Sequence, residues 1–337
     1  MDRPRSGHRA RHPLLLVFDD ERAMGEALAA AAGWPLALVQ RHRFPDGETR
    51  LTLPAELPPE VVVLRGLRDP NAKLTELLLA AAGARELGAN RLVLISPYLA
   101  YMRQDMAFSP GEVVSQRHLG ALLAGAFDAV VTVDPHLHRI ATLDEVLPGR
   151  RGLALSAAPL LGRFVAKQVP GALLLAPDEE AGQWVRAAAE AAGLDHALCL
   201  KVRRGDRDVA VSVARSGSAS LAGSVDGSVA RSVDGPVADS RDPPRLQGRA
   251  VVVLDDVAST GRTLAAAARA ALAAGAASVD VAVTHALFVG DAFAHVAAAG
   301  VRRVWSSDCV AHTSNAVSVA PMLAQAMAQL LLERETG

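Results

Sequence analysis

Short apolar runs alternate with helical patterns along most of the chain, and this alternation constrains the fold more than any other feature. The run Val61–Leu64 precedes the helical pattern Leu74–Leu87, and Ala250–Leu254 precedes Thr263–Ala274. Strands of parallel sheets read as continuous apolar runs because helices cover both faces of the sheet. The sequence therefore predicts an α/β fold with two doubly wound, mainly parallel sheets.

Further apolar runs and helical patterns extend this alternation through both halves of the chain. The other predicted strands are Leu14–Phe18, Arg91–Ile95, Ala129–Val133, Leu173–Leu175, His196–Leu200, Val279–Val283 and Arg303–Trp305. The other predicted helices are Ala23–Ala32, Leu119–Phe127, Glu180–Ala192 and Val319–Leu332.

The length of 337 residues accommodates two compact α/β domains. We expect an N-terminal domain at 13–150, a C-terminal domain at 151–320 and a C-terminal helix at 321–337. Within the second domain, residues 216–244 are rich in Ser, Gly, Asp and Val, with no aromatic side chain. Such a segment buries too little apolar surface to offset its ordering entropy, which predicts a flexible insertion. The alternative is a short β-hairpin turned by its Asp-Gly pairs.

The overall charge and the cysteines exclude several function classes. With 35 basic and 36 acidic residues the net charge is -1, which gives no electrostatic reason for general nucleic-acid binding. Cys199 and Cys309 are far apart and in no metal-binding spacing, as is typical of a reducing compartment. The apolar run Leu14–Phe18 is too short for a signal peptide, and no apolar stretch reaches the length of a membrane span. We therefore expect a cytoplasmic protein.

The strongest local motif follows the predicted strand Ala250–Leu254 and reads Asp-Asp-Val-Ala-Ser-Thr-Gly-Arg-Thr. Backbone N–H groups at a helix N-terminus bind anions, and hydroxyl groups add further donors. Gly261 lets the backbone approach a phosphate closely. Asp255 and Asp256 can accept hydrogen bonds from ribose hydroxyls or help to hold magnesium. The simpler alternative is an ordinary Ser/Thr helix cap.

This motif resembles the phosphoribosyl-pyrophosphate loop of phosphoribosyltransferases and ribose-phosphate diphosphokinases, and it does not separate the two families. The resemblance implies two phosphoribosyltransferase-like domains. It also implies that ribose 5-phosphate binds to a set of seven residues that spans the motif. That set is Asp255, Asp256, Ser259, Thr260, Gly261, Arg262 and Thr263.

Three further segments resemble the diphosphokinase family specifically. They are Arg43–Glu48, Pro97–Asp105 and Val131–His138. Taken singly, each has a simpler interpretation: a Pro-Asp-Gly turn, an exposed polar loop and a helix-capping histidine. The resemblance implies an ATP site formed by Phe44, Asp46, Glu48, Arg103, Gln104, Asp105 and His136.

Within this implied ATP site, Phe44 stacks on the adenine, and its loop reaches the ATP site of a neighbouring subunit. The resemblance thus implies a homo-oligomer with a shared site. One departure is Met106, where family members usually carry a basic residue after the aspartate. This departure puts one phosphate or regulatory contact in question.

The resemblance also implies a magnesium cofactor and two catalytic cations. His136 and Asp178 correspond to family residues near the metal, although Asp178 is equally suited to capping the following helix. Lys201 and Arg203 lie where the family keeps its catalytic lysine and arginine, just before the predicted insertion. The alternative for these two is a solvated run of charge.

The reaction implied is transfer of the diphosphate of ATP to the anomeric hydroxyl of ribose 5-phosphate. Two other functions remain open from the sequence. A phosphoribosyltransferase would share the phosphate loop, and a non-catalytic regulatory relative of the synthetase would share the fold.

Overall fold

The computed structural model describes residues 12–137, 139–203, 209–214 and 246–332, with side chains described outside 200–245. The predicted insertion at 216–244 lies outside the described residues. Contacts divide the chain into two compact units. The first comprises the described residues up to Ala157, Thr284–Leu287 and those from Ser306 onward, and the second comprises the rest. Each unit is made of more than one stretch of the chain. The predicted domains at 13–150, 151–320 and 321–337 stay a prediction.

The first sheet is built from seven strands among the described residues. They are β1 (Leu14–Phe18), β2 (Leu36–Arg43), β3 (Thr49–Thr52), β4 (Glu60–Leu64), β5 (Arg91–Ser96), β6 (Ala129–Val133) and β7 (Arg151–Leu155). The helices between them are α1 (Arg22–Ala32), α2 (Pro70–Glu86) and α3 (Ser115–Ala126). The strand order is β3-β2-β1-β4-β5-β6-β7, and the β2–β3 pair is antiparallel while the other pairs are parallel.

The second sheet follows in the same style. Its described strands are β8 (Leu173–Ala176), β9 (Asp195–Arg203), β10 (Val209–Ala214), β11 (Ala250–Ala258), β12 (Ser278–Ala286), β13 (Val301–Ser307) and β14 (Asn315–Val317). The helices are α4 (Ala158–Gln168), α5 (Gly182–Ala192), α6 (Arg262–Ala273), α7 (Ala292–Ala298) and α8 (Ala320–Leu332). The order is β10-β9-β8-β11-β12-β13-β14, with β9 and β10 antiparallel.

The two sheets share one topology, strand for strand, with β8 in the place of β1 and β11 in the place of β4. In each sheet the chain first builds outward to one side and then returns to build the other side. The reversal lies between β1 and β4 in the first sheet and between β8 and β11 in the second. Doubly wound sheets bind ligands at the carboxyl ends of the strands that flank such a reversal. The predicted fold class is confirmed.

The apolar runs form the buried centre of each sheet, as their lack of alternation predicts. All five residues of β6 and all four of β8 are buried. Fully burying one such side chain contributes about 1.5–3 kcal/mol relative to leaving it exposed. Helix ends follow local chemistry as well, since Pro70 begins α2 and left-handed Gly33 and Gly193 end α1 and α5.

Several elements have no counterpart among the sequence predictions. They are β2, β3, β7, β10, β14, α4 and α7. Several predicted boundaries were off by a few residues; α3, for example, begins at Ser115 and not at Leu119. One of these differences bears on the site, because the strand expected to end at Leu254 continues to Ala258, so Asp255 and Asp256 belong to β11 itself. Within the described parts of the chain, no helix combines the length and the apolar character needed to cross a membrane.

Candidate active site

Three carboxylates lie at one edge of the second sheet, at its reversal point. Asp255 and Asp256 lie near the carboxyl end of β11, and Asp178 follows β8. β8 and β11 are parallel neighbours in which Leu175 pairs with Val253, so Asp178 comes to the same edge as the acidic pair. Asp178 Oδ1 accepts a hydrogen bond from Ala181 N at 3.1 Å, just before α5 begins.

The electrostatics of this edge favour a bound cation. Burial raises the pKa of Asp255 well above its usual range, and the negative charges of Asp256 and Asp178 raise it further. Asp256 is itself buried, and its N–H donates to Asp255 Oδ1 at 3.0 Å. A site whose carboxylates repel one another in this way gains stability when a positive charge joins them.

The turn that follows β11 has the geometry of an anion-binding helix start. Gly261 is in the left-handed conformation, with φ 69°, and caps α6. A Cβ at this position would lie 2.7 Å from Val296 Cγ2 and 3.0 Å from the carbonyl oxygen of Ala292. Both the backbone angle and the close approach of α7 therefore require glycine. Because the first N–H groups of a helix lack intrahelical partners, they remain available to an anion beside the turn.

The side chains of this turn face outward to different degrees. Thr260 and Arg262 are exposed, whereas Ser259 and Thr263 are half-buried. Behind the turn, Val289 N donates to the Ser259 carbonyl oxygen at 3.0 Å. This bond fixes the backbone of the turn from its inner side and leaves the hydroxyl groups of the turn available to a ligand.

The β9–β10 pair forms an arm beside this edge. Lys201 and Arg203 lie on β9, where they pair with Val211 and Val209 of β10. Their side chains lie outside the described residues. Their backbone places them in the strand pair that occupies the same topological position as β2 and β3 in the first sheet.

In the first unit, the loop after β5 is tied to the loop after β6. Arg139 Nη1 lies 2.7 Å from each carboxylate oxygen of Asp105. Gln104 Nε2 donates to the Met106 carbonyl oxygen at 3.0 Å, and Arg103 is exposed. β5 and β6 are parallel neighbours, so the Arg103–Asp105 segment and His136 emerge at the same edge.

The backbone at His136 is unusual. Asp134 and His136 have φ values of 38° and 56°, which non-glycine residues rarely adopt. Each such residue costs on the order of 1–3 kcal/mol, and the surrounding structure has to hold it in place. Because two such residues flank Pro135, the surrounding structure must hold this loop in one conformation.

Asp134 supplies part of that hold, and sequence reasoning did not single it out. Its Oδ2 accepts hydrogen bonds from Thr284 Oγ1 at 2.7 Å and from Ala157 N at 3.0 Å. Burial raises the pKa of this carboxyl, while these donors and nearby His285 oppose the increase. The Thr284-His285 dipeptide was the available signal, but its partner lies 150 residues away in the chain.

The β2–β3 hairpin carries the remaining predicted ATP residues at its tip. Phe44 is 37% exposed, with its ring edge-on to His42 at 4.8 Å and the Arg50 guanidinium 5.9 Å from its centroid. Asp46 Oδ1 accepts a hydrogen bond from Glu48 N at 3.1 Å, which shapes the turn. Three strand spacings separate β2 from β5, or about 14 Å.

The relatives of the chain decide its family. Residues 14–126 match the family model for the N-terminal domain of ribose phosphate pyrophosphokinase, and residues 166–298 match that of the phosphoribosyl transferase domain. The chain is 32% identical over 321 residues to the ribose-phosphate pyrophosphokinase of Methanopyrus kandleri, covering 94% of this chain and 99% of that one. The chain belongs to the ribose-phosphate pyrophosphokinase family.

Other comparisons agree with this family. The ribose-phosphate pyrophosphokinase of Halobacterium salinarum is 30% identical over 317 residues, covering 93% of this chain and all of the relative. The crystal structure of phosphoribosylpyrophosphate synthetase from Mycobacterium smegmatis superposes with a TM-score of 0.74 at 20% identity. That superposition covers 96% of this chain and all of the other, and it supports the fold.

The predicted site residues with described side chains fall into three groups. Asp178, Asp255 and Asp256 share one sheet edge with the Ser259–Thr263 turn. Arg103, Gln104, Asp105 and His136 follow β5 and β6 at one edge of the first sheet. The Phe44–Glu48 tip lies apart from the second group within the same chain. The roles of these residues stay predictions.

The donor set fits magnesium bound jointly with a phosphorylated substrate. Among the described residues, no three His, Cys, Asp or Glu side chains converge into a complete metal site. Mg²⁺ commonly uses one or two carboxylates, with water and substrate phosphates as its other ligands. The crowded carboxylates around Asp255 are suited to that arrangement.

Proposed function

We propose that the chain is a ribose-phosphate diphosphokinase, which converts ATP and ribose 5-phosphate to 5-phosphoribosyl 1-diphosphate and AMP. In this reaction the 1-hydroxyl oxygen of the sugar forms a bond to the β-phosphorus of ATP. The bond between the β-phosphorus and the oxygen that bridges to the α-phosphate breaks, and AMP leaves. The hydroxyl proton passes to solvent. The single observation that carries the proposal is the glycine-capped turn Ser259–Thr263 beside Asp255 and Asp256, in a chain of this family.

The sugar phosphate has a place at the reversal point of the second sheet. We assign its terminal phosphate to the turn Ser259–Thr263, where hydroxyl groups and the start of α6 supply donors. Its 2- and 3-hydroxyls donate to Asp255 and Asp256. The close packing of α7 against Gly261 supports this assignment, because this packing holds the turn in place before the ligand binds.

We assign ATP to the carboxyl ends of β5 and β6 in the first unit, against Arg103, Gln104 and His136. The guanidinium group of Arg103 is exposed and can meet a purine face or a phosphate. The distance of about 14 Å from β2 to β5 separates Phe44, Asp46 and Glu48 from this site in the same chain. We therefore propose that the hairpin tip serves the ATP site of a neighbouring subunit in a homo-oligomer.

Lys201 and Arg203 are the proposed catalytic residues. Transfer of a diphosphoryl group increases negative charge on the β-phosphate oxygens and on the leaving AMP. A lysine provides a compact charge for these oxygens, and an arginine provides a planar pair of donors. The loss of one such contact costs on the order of 3 kcal/mol of transition-state stabilisation.

Magnesium is the proposed cofactor, and Asp178 of the second unit and His136 of the first unit are the protein groups that would contact magnesium ions. When bound, it would neutralise phosphate charge and acidify the attacking hydroxyl. The chain's own part is to hold the phosphates with the Ser259–Thr263 turn and to orient the sugar through Asp255 and Asp256. Because both substrates are anions that do not cross membranes, we propose that the protein works in the cytoplasm.

Release of AMP from ATP and ribose 5-phosphate tests the function and separates it from its alternatives. A phosphoribosyltransferase releases diphosphate from 5-phosphoribosyl 1-diphosphate and leaves ATP intact, and a non-catalytic relative releases nothing. Assays across several nucleoside triphosphates and pentose phosphates would also define substrate selectivity.

The catalytic assignment has its own test in two lysine variants. We expect Lys201→Ala to lower kcat by about 100-fold or more. The exposed Lys167 near the end of α4 provides the matched control, and we expect Lys167→Ala to leave kcat unchanged. Full turnover in Lys201→Ala would refute the role of Lys201.

A further inference from the structure

The β2–β3 hairpin extends beyond the strand that supports it. β2 pairs with β1 only from Leu36 to Val39, which lie beside Leu15 to Phe18. From Gln40 to Arg43, β2 pairs with β3 alone among the described strands. The outer half of β2 is exposed, and the inward packing of this arm comes from Leu51 and Leu53. The hairpin tip therefore overhangs the sheet edge, and its direction depends on a few side-chain contacts.

Arg41 makes the polar contact between this overhang and the body of the first unit. Its Nη1 lies 3.1 Å from both carboxylate oxygens of Glu76 on α2. Its Nη2 lies 3.6 Å from Asp20 Oδ1. The Arg41 side chain is 33% exposed, whereas that of Glu76 is only 8% exposed. The pair thus joins an exposed strand to a carboxylate that is fixed in the interior.

Glu76 is fixed because a fully buried arginine holds it from the other side. Arg65 donates to Glu76 Oε2 through Nη2 and to Asp20 Oδ1 through Nη1 at 2.6 Å. The Arg65 guanidinium also lies over the Phe18 ring, 4.1 Å from its centroid. Removing one member of a buried ion pair leaves an uncompensated charge, so these groups hold one another in a single arrangement.

The charges of this cluster balance. Arg41, Arg65 and Lys73 provide three positive charges, and Asp20, Glu21 and Glu76 provide three negative charges. The cluster lies at the reversal point between β1 and β4, the position that matches the phosphate-binding edge of the second sheet. Here the Glu21 carboxylate accepts the backbone N–H of Gly66, at 2.8 and 2.9 Å. The first sheet thus fills its own ligand edge with protein charges.

We propose that Arg41 is a positioning residue whose ion pair with Glu76, backed by buried Arg65, sets the direction of the overhanging hairpin and so places the Phe44–Glu48 tip for ATP binding. This inference rests on the proposed function of that tip. Arg41 does not touch the substrate, and its contribution is to reduce the number of directions that the tip can adopt. The reversal point of the first sheet then serves to anchor this arm, while that of the second sheet binds the sugar phosphate.

Arg41→Gln tests the proposal because it removes the outer charge and leaves the Arg65–Glu76 and Arg65–Asp20 pairs in place. We expect the KM for ATP to increase about fivefold, with the KM for ribose 5-phosphate unchanged and kcat changed by less than about twofold. Amide hydrogen exchange across residues 40–52 is expected to become faster. Arg41→Lys keeps the charge without the paired donors, so we expect an intermediate KM.

Arg85→Gln is the matched control. Arg85 is 34% exposed and pairs with Asp128 at 2.7 Å in the same unit, in the last turn of α2. We expect it to leave both the KM for ATP and the exchange of residues 40–52 at wild-type values. Equal exchange in the two glutamine variants would overturn the anchoring, and faster exchange with an unchanged KM would overturn its role in ATP binding. Failure of the wild type to release AMP would instead refute the proposed function, while hydrogen exchange would still decide the anchoring.

Discussion

Arg139 holds both carboxylate oxygens of Asp105 at 2.7 Å, which ties the loop after β5 to the loop after β6. The Asp105 side chain is only 4% exposed, so its carboxylate is committed to this pair. The sequence predicts a direct contact between Asp105 and ATP. The geometry suggests a different way for Asp105 to act, namely by holding Arg103 and Gln104 beside His136.

Loss of the Asp105–Arg139 pair should weaken ATP binding. We expect Arg139→Gln to increase the KM for ATP about tenfold with little change in kcat, since this charge-assisted pair ties the two loops together. If Asp105 acts through Arg139, the double variant with Asp105→Asn should be no worse than either single variant. Steady-state kinetics of the four proteins would provide this cycle.

An exposed ion pair of the same length provides the control for this cycle. Arg22 is 48% exposed and pairs with Asp19 at 2.7 Å, close to the 49% exposure of Arg139. Arg22→Gln should leave the KM for ATP unchanged. Additive effects of the two changes at 105 and 139 would mean that Asp105 has a contact of its own with ATP.

Gly261→Ala should disable the sugar-phosphate site. An alanine would have to adopt φ near 69° and would place its Cβ 2.7 Å from Val296 Cγ2. We expect the KM for ribose 5-phosphate to increase at least tenfold, or about 1.4 kcal/mol. The free energy of unfolding should fall by about 1–2 kcal/mol from backbone strain. Kinetics and chemical denaturation would measure these two effects.

Gly193→Ala is the control that separates the effect of backbone strain from the effect of displacing the Ser259–Thr263 turn. Gly193 has φ 64°, similar to that of Gly261, but no atom lies within 4 Å of the Cβ that it would gain. We expect a similar loss of about 1 kcal/mol in stability with an unchanged KM for ribose 5-phosphate. A normal KM in Gly261→Ala would contradict the assignment of the sugar phosphate to this turn.

Ionised Asp255 should lower the free energy of unfolding by an amount that depends on pH. Its pKa is raised above the usual 3.8 by burial and by the charges of Asp256 and Asp178. The ionised carboxylate is therefore less stable in the folded chain than in the unfolded chain. This penalty is absent below about pH 4 and increases as the pH rises through the raised pKa.

Asp255→Asn removes the penalty and keeps an oxygen to accept the Asp256 N–H. We expect the variant to match the wild-type Tm near pH 4 and to exceed it by about 3 °C near pH 8, while losing most activity. Thermal melts across this range would measure the difference. A variant that is less stable than the wild type at every pH would show that the ionised Asp255 is already compensated within the protein.

The buried parts of the fold were predictable because their sequence signal is strong. β6 and β8 are buried throughout and read as continuous apolar runs. β2 gave no such signal, since its outer half, Gln-Arg-His-Arg, is exposed and polar. Only the pairing with β3 and the ion pair from Arg41 make this segment a strand, and those contacts come from elsewhere in the chain.

The site was predictable where its residues are close in sequence. The Asp255–Thr263 segment carries its own chemistry, so its position at a strand end and helix start followed from the motif. Asp134 is different, because its partner Thr284 is 150 residues distant and only the folded chain brings them together. The ion pair between Asp105 and Arg139 could not be predicted either, because no sequence pattern in the two loops links one residue to the other.

The most direct test of the account is ³¹P NMR of the wild-type protein with ATP, ribose 5-phosphate and Mg²⁺. We expect AMP and 5-phosphoribosyl 1-diphosphate to form in equal amounts, and neither to form when the sugar phosphate or the metal is left out. Formation of ADP, or an ATP spectrum that stays unchanged while the protein is folded, would contradict it.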